Sequence, residues 1–252
     1  MNTGGIFKEA LRTYSSKPLH YLILSLPGRV ICSGVLWTMI GLPVMLSPSA
    51  YEGRTIGMTL TVSILSALLI YPITSPPSIA SFIYARIGEG EGLVRPLRRS
   101  FRSFFPLLGT FIMWTIFMGF GLLLLAFPAF LIYVRYCLAP HAVVIEGEGG
   151  YGAMRRGKTI MEGEFQRGMT VMLLPLLVEV LLGQISATTW FLIDKSEPFG
   201  PGPEYILFGF LIPLLFDPIR ALISTQLYLQ LRREKEGLDD EMLREEFLEW
   251  EI

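Results

Sequence analysis

FIMWTIFMGFGLLLLAFPAFLIYVRYCLAP, residues 111–140, is an apolar stretch that contains one charged side chain, Arg135. A membrane-spanning helix needs about 20 apolar residues, so this stretch is too long for a single span. The residues that can interrupt a helix here are Gly119, Gly121 and Pro128. We therefore predict two antiparallel spans joined by a tight hairpin near Ala126.

The composition of the whole chain is that of an integral membrane protein. Of its 252 residues, 52% are hydrophobic and 17% are charged, and its mean hydropathy is +0.51. In a soluble domain about a quarter of the residues are charged. Cys32 and Cys137 both lie in apolar segments, where we expect them to be small buried side chains. The net charge of −1 gives no sign of a nucleic-acid partner.

Six segments are apolar and long enough to span a membrane. They are residues 19–46, 56–85, 105–125, 127–146, 168–193 and 205–231. We predict an all-α protein, a polytopic membrane helical bundle whose single transmembrane domain covers residues 1–231. Residues 232–252 form an acidic, amphipathic cytoplasmic tail.

The distribution of basic residues predicts the orientation of these spans, because Lys and Arg near helix ends are retained on the cytoplasmic side. Only Arg54 and Lys195 fall on the opposite side. Both termini are therefore expected in the cytoplasm, and the protein in the cell membrane. The 16 of 21 basic residues that share the cytoplasmic side are Lys8, Arg12, Lys17, Arg86, Arg95, Arg98, Arg99, Arg102, Arg155, Arg156, Lys158, Arg167, Arg232, Arg233, Lys235 and Arg244.

Three cytoplasmic stretches resemble one another: KEALRTYSSK at 8–17, VRPLRRSFRS at 94–103 and YGAMRRGKTI at 151–160. Each of them precedes a pair of predicted spans, and each even-numbered span contains proline. The pattern indicates a unit of one amphipathic helix and two spans that occurs three times. Chance similarity is the alternative, since basic span ends and intramembrane prolines are common.

The amphipathic stretches are expected to lie in the membrane interface. In EGLVRPLRRSFRSFFP the apolar residues share one helix face, while the arginines extend to anionic headgroups. The predicted headgroup contacts are Arg98, Arg99, Arg102, Arg155 and Arg156. The acidic tail is different: Leu243, Phe247 and Trp250 follow helical spacing and predict packing on the protein's own basic face, with a protein partner as the alternative.

Charged residues inside predicted spans are candidates for a polar network or a ligand site, because each costs about 2.5–3.5 kcal/mol to insert. Asp217 and Arg220 are three residues apart and can pair on one helix face. Arg135 then pairs with Glu179, or alternatively with Asp217. Gln184 extends a polar stripe along the fifth span. Such a network either fixes helix assembly or binds an anionic substrate or lipid headgroup.

The segments YVRYCLAPHAVVIEGEGGYGAMRRGKTIMEGEFQRGM, 133–169, and DPIRALISTQLYLQLRREKEGLDDEML, 217–243, carry a family resemblance. They resemble the membrane domain associated with glycerophosphoryl diester phosphodiesterases, which also occurs alone in membrane proteins. The chain departs from that family at Gln230, where an acidic residue is often found before the late Arg. The phosphodiesterase of such fusions is a separate soluble domain, for which this chain has no room.

No motif of an enzyme is found in the sequence, and no cofactor or metal is predicted. We expect a non-catalytic multi-pass membrane protein that acts as a scaffold or as a subunit of a membrane complex. The alternative is a transporter or lipid-handling protein with a polar site in mid-bilayer. The expected partners are membrane lipids with anionic headgroups, together with a protein partner or a second copy of the chain.

Overall fold

The computed structural model describes residues 3–36, 74–89, 92–124, 126–175, 177–178, 181 and 203–250. Every regular element in these ranges is a helix, which confirms the all-α prediction. The helices are α1 (Thr3–Ser16), α2 (Pro18–Leu36), α3 (74–86), α4 (Val94–Leu124), α5 (Ala126–Tyr136), α6 (Ala139–Glu146), α7 (Gly150–Met161), α8 (165–175), α9 (Pro203–Glu236) and α10 (Asp240–Glu249).

Three helical segments in the described part of the chain are long and apolar enough to cross a membrane. They are Val94–Gly121, Pro128–Glu146 and Phe210–Glu236, and they overlap the predicted third, fourth and sixth spans. Segments of this kind are typical of a membrane protein. The predicted first, second and fifth spans extend outside the described residues.

The basic stretch 94–103 is the first part of a long helix that contains a candidate span. α4 runs without interruption for 31 residues and contains Pro106. The prediction of a separate interfacial helix is therefore wrong at this position. By contrast, α1 and α7 are short amphipathic helices of 14 and 12 residues that end before the next helix begins. A proline inside a helix removes one N–H donor and crowds the carbonyl four residues earlier, yet α4 continues through Pro106.

The hairpin expected near Ala126 is present. α4 ends at Leu124, α5 begins at Ala126, and the two helices pack against each other. They approach closely at Gly121, where an added Cβ would lie 2.8 Å from the Ala129 Cα. Glycine is therefore needed at 121 for the two helices to meet.

Proline interrupts the predicted fourth span but not the sixth. α5 ends at Tyr136, and α6 begins at Ala139 with Pro140 in its first turn. A proline in the first turn of a helix needs no N–H partner, so it favours a new helix start at this position. Pro218, in contrast, lies inside α9, which continues through it.

α6 is the central element of the described core. All seven residues from Ala139 to Ile145 are buried. α4, α7 and α10 pack around α6, and Tyr228 of α9 stacks on His141 with ring centroids 5.6 Å apart. The end of α6 is therefore the point where charged side chains from several helices can meet.

Candidate functional site

Glu146, the last residue of α6, is bound by three side chains, two through hydrogen bonds and one through an ion pair. Arg156 Nε of α7 donates to its carboxylate at 2.6 Å, and the Tyr228 hydroxyl of α9 donates the second hydrogen bond. Arg232 Nη1, also on α9, forms the ion pair at 3.2 Å. A buried carboxylate with this many donors is strongly held, because hydrogen bonds to a charged acceptor are short and strong. Glu146 thereby joins α6, α7 and α9.

The two arginines extend this network outward to further carboxylates. Arg156 binds Glu236 through both terminal nitrogens, at 2.5 and 2.7 Å. Arg232 contacts Glu236 at 2.9 Å and Glu246 of α10 at 2.9 Å. We call Glu146, Arg156, Tyr228, Arg232, Glu236 and Glu246 the Glu146 cluster. Its outer carboxylates are about one-third exposed, at 30% for Glu236 and 32% for Glu246.

Two groups of the Glu146 cluster outside the spanning segments have shifted pKa values. Burial opposes the charge of Arg156, but the carboxylates of Glu236 and Glu146 outweigh it, so the pKa of Arg156 is raised. Burial raises the pKa of Glu246, and the nearby Arg232 opposes that shift in part. The guanidinium of Arg156 therefore stays charged. The carboxyl of Glu246 is easier to protonate than that of an ordinary glutamate.

Arg99 of α4 lies beneath the tail helix α10. Its guanidinium donates to the carbonyl oxygens of Val144 at 3.0 Å, Ile145 at 3.2 Å and Phe247 at 2.9 Å. The last carbonyls of α6 have no partner within their own helix, and a cation at this end also matches the helix dipole. The prediction that Arg99 contacts lipid headgroups is therefore wrong, since its side chain is buried inside the protein.

Aromatic residues of the tail cover the Arg99 guanidinium. Its central carbon lies 4.1 Å from the Phe247 ring centroid and 4.4 Å from that of Trp250. Phe247 also packs edge-on against Tyr84 of α3, with ring centroids 5.0 Å apart. Leu243 and Phe247 are buried. The tail thus packs on the protein itself, as the spacing of its apolar residues predicts.

The turn after α6 is shaped to receive the tail. Gly147 has a left-handed backbone with φ of 75°, which ends α6. A Cβ at Gly147 would collide with the Trp250 indole. Glycine at 147 therefore serves both the helix end and the contact with Trp250.

A second group of charged residues lies at Asp217 of α9, within a candidate span. Its carboxylate is 3.3 Å from Arg29 Nη1 of α2 and 3.4 Å from Arg220 Nη2. Thr74 of α3 also hydrogen-bonds to Asp217. We call these four residues the Asp217 cluster. The Asp217 side chain is 2% exposed, Arg29 9% and Arg220 12%, so this cluster is more enclosed than the Glu146 cluster.

The structure separates the residues predicted for the intramembrane network. Asp217 and Arg220 do lie together, on one face of α9. Arg135 lies in the last turn of α5 and is exposed, and no ion pair connects it to Asp217 within the described residues. The alternative pairing of Arg135 with Asp217 is therefore wrong: Val134 is the buried neighbour, so the next side chain points away from the core. Glu179 and Gln184 lie outside the described residues, and the pairing of Arg135 with Glu179 stays a prediction.

The arginines predicted to contact headgroups fall into two groups. Arg98, Arg102 and Arg155 are exposed. Arg99 and Arg156 are engaged by protein atoms. Glu146 and Glu236 bind the Arg156 guanidinium, but its side chain is 25% exposed, and its contact with headgroups stays a prediction. In each Arg–Arg pair the first residue is exposed and the second turns inward, since consecutive helix residues point about 100° apart.

Sequence reasoning missed Arg29 as a member of an intramembrane pair. It is the one charged residue of the predicted first span, so the same charge scan that singled out Arg135 also detects it. Sequence reasoning also missed Tyr228 and Arg232 as ligands of Glu146. No local pattern signals these contacts, because Tyr228 is 82 residues from Glu146 along the chain.

The described residues contain no group of three or more His, Cys, Asp and Glu side chains that could hold a metal ion. They combine two clusters of paired charges with a tail helix bound over a buried arginine. Comparison with protein-family models, with curated proteins and with solved structures finds no match to this chain.

Proposed function

We propose that this chain is a non-catalytic, multi-pass membrane protein that acts as a scaffold or subunit of a membrane complex. The proposal includes six spans in three similar units, both termini in the cytoplasm and a location in the cell membrane. The resemblance to the membrane domain that accompanies some phosphodiesterases agrees with it, since that domain also occurs without the enzyme.

The observation that carries the proposal is the way in which the tail helix α10 is held. Its inner face is anchored by Leu243, Phe247 and the buried Arg99. Ion pairs fix its flanks: Arg244 lies 2.7 Å from Glu89, and Arg86 lies 3.1 Å from Asp240. A short helix that is bound at so many points has a fixed position on the body of the protein.

The outer face of α10 presents carboxylates. Glu241, Glu245 and Glu249 are all exposed and follow each other at intervals of four residues, so they form one stripe. A rigidly held acidic stripe suits a partner protein with a basic surface, because complementary charge raises the association rate and selects the partner. We therefore assign α10 as the partner-binding element of the scaffold.

Charge reversal on α10 tests this function. The variant Glu241→Lys/Glu245→Lys changes the stripe, and Glu148→Lys/Glu162→Lys is a matched control at two other exposed glutamates. After purification from native membranes in mild detergent, we expect wild type and control to retain the same protein partner, identified by mass spectrometry. The stripe variant should lose it. Isolation of the wild-type chain alone, repeated under several mild conditions, would contradict the scaffold function.

The Asp217 cluster favours a second candidate function, that of a transporter or lipid-handling protein. Charged groups inside a span commonly mark a substrate or proton pathway, and three of them meet in this enclosed cluster. The test is flux of protons or of fluorescent lipids across reconstituted vesicles. Transport predicts measurable flux that Asp217→Asn abolishes when vesicles with equal amounts of folded, inserted protein are compared. Equal flux in wild-type and empty vesicles would exclude this candidate.

A further inference from the structure

One face of α4 carries exposed side chains on both sides of residues 106–111, none of which is exposed. Most of the exposed positions are separated by three, four or seven residues, which keeps them on one helical stripe. They change in character from one end of the helix to the other. From the N-terminus they are Val94, Arg98, Phe101, Arg102, Phe105, Ile112, Ile116, Phe120 and Leu123.

The C-terminal part of this stripe is purely apolar. Ile112, Ile116, Phe120 and Leu123 are all more than half exposed. Exposed apolar side chains along a spanning helix are solvated by lipid tails. This part of the stripe therefore lies in the hydrocarbon region of the membrane.

The N-terminal part of the stripe alternates aromatic and basic residues. Phe101 and Phe105 are 78% and 77% exposed, and the exposed Arg98 and Arg102 lie next to them, one turn apart. Rings exposed to this degree require an apolar surrounding, whereas guanidinium groups require water or an anion. Both requirements are met at one depth, which is the boundary between lipid tails and headgroups.

The length of α4 gives a second estimate of where the boundary between lipid tails and headgroups crosses the helix, and the two positions agree. At 1.5 Å per residue its 31 residues extend about 46 Å, whereas the hydrocarbon core is about 30 Å thick. About ten residues must therefore lie outside the core. All four arginines of α4 fall in the segment 95–102, so the excess lies at the N-terminal end and the boundary falls near Phe105.

We propose that Arg98 and Arg102, together with Phe101 and Phe105, form a binding face for anionic phospholipids. The two guanidinium groups bind the headgroup phosphate, and the two rings insert between the upper parts of the acyl chains. This inference depends on α4 spanning the membrane, and it does not depend on the scaffold function. Arg99 takes no part, because its side chain is buried under the tail.

Arg155 is the natural control for this face. Like Arg98, it is the exposed first residue of an Arg–Arg pair inside a helix. Its own face of α7 is different, however, because Tyr151 and Thr159 are its neighbours one turn away, and the exposed Glu148 and Glu162 lie seven residues on either side. This surface has no second arginine and no exposed pair of rings, so it should not select an anionic lipid.

The experiment is native mass spectrometry of the full chain, released from mixed micelles with equal amounts of phosphatidylglycerol and phosphatidylcholine. Wild type should retain phosphatidylglycerol in preference to phosphatidylcholine. Arg98→Gln/Arg102→Gln should lower that preference about tenfold, because each basic residue near the surface adds to the attraction. Arg155→Gln should leave it unchanged. Phe101→Ala/Phe105→Ala should reduce retention of both lipids in the same proportion.

Four results would overturn the proposal. The first is a wild-type chain that retains the two lipids equally, and the second is an Arg155→Gln variant as defective as the double arginine variant. The third is complete displacement of the lipid by glycerol 3-phosphate, since this would make the rings irrelevant. The fourth is efficient cross-linking of a cysteine placed at Phe105 to another protein or to a second copy, which would identify the face as a protein interface. The melting temperature of each variant is measured as a control. If it is unchanged, a loss of lipid binding does not result from a loss of folding.

Discussion

The Glu146 cluster and the Asp217 cluster each hold a carboxylate between arginines, but their surroundings differ. Each centres on one carboxylate bound by two arginines from different places in the chain. At Glu146 the arginines continue to Glu236 and Glu246, which are partly exposed, so the network reaches water. At Asp217 the carboxylate and both guanidinium groups are enclosed. The two clusters therefore differ in how far the groups around the central carboxylate are exposed to water.

This difference predicts different tolerance to loss of the central carboxylate. A charge left without its partner in an enclosed site cannot recover its hydration, whereas one near the surface can. The two clusters have similar composition but different burial. Comparing them shows how burial changes the contribution of an ion pair to the free energy of unfolding. The experiments below test that comparison, beginning with the largest expected effect.

Asp217→Asn should destabilise the protein most. It leaves Arg29 and Arg220 enclosed without their carboxylate, at a cost of about 3–5 kcal/mol in the free energy of unfolding. The measurement is the midpoint of unfolding by sodium dodecyl sulfate in mixed micelles. In the double variant Arg29→Gln/Asp217→Asn the loss should be clearly smaller than the sum of the two single losses. Strict additivity would show that the pair is not energetically coupled.

Glu146→Gln should cost less, about 1–3 kcal/mol in the same measurement. The amide still accepts a hydrogen bond from Tyr228, and Glu236 and Glu246 continue to neutralise Arg156 and Arg232. Added salt should weaken the outer pairs and thereby enlarge the effect of this substitution. A loss equal to that of Asp217→Asn would contradict the role assigned to the outer carboxylates.

Arg99→Lys should affect mainly the tail. Lysine keeps the charge, but it cannot donate in the fork geometry that reaches the carbonyls of Val144, Ile145 and Phe247. We expect about 1–2 kcal/mol of local destabilisation, seen as faster hydrogen exchange in residues 240–249. Arg98→Lys, one residue away and exposed, is the control and should leave exchange in the tail unchanged.

Acidification should give the smallest effect, again in the tail. Hydrogen bonds from Arg244 and Arg95 hold the pKa of Glu89 below its ordinary value. For Asp240, Arg86 and Arg233 outweigh the opposing effect of burial, and its pKa is lowered too. A carboxyl with a lowered pKa stabilises the fold above its unfolded pKa of about 4, and this stabilisation is lost as the pH falls further. Exchange in α10 should therefore quicken below pH of about 4, and Glu89→Gln should reduce that dependence.

Two local features of the fold were predictable from the sequence. The hairpin near Ala126 follows from the length of the apolar run. The contact between Asp217 and Arg220 follows from their spacing on one helix. Each of these inferences needs only residues that are neighbours in sequence, whose geometry the helix itself determines.

The long-range contacts were not predictable from spacing. Arg29 and Asp217 are 188 residues apart, and only the folded arrangement brings α2 to α9. The inward turn of Arg99 was partly predictable, because consecutive helical residues point about 100° apart and two neighbouring arginines therefore have different surroundings. Which of the two turns inward depends on the open carbonyls at the end of α6, and these become visible only in three dimensions.

The site around Arg99 also has a consequence for the order of events during synthesis. Its α6 partners, Val144 and Ile145, follow it by 45 and 46 residues, but Phe247 follows by 148. At about 5–20 residues per second, a ribosome needs roughly 7–30 s to make those 148 residues. Throughout that interval the guanidinium lacks its contacts with Phe247 and Trp250, although α4 is already long enough to enter the membrane. Closure of the Arg99 site is therefore a late step, and the translation machinery sets the time at which it can occur.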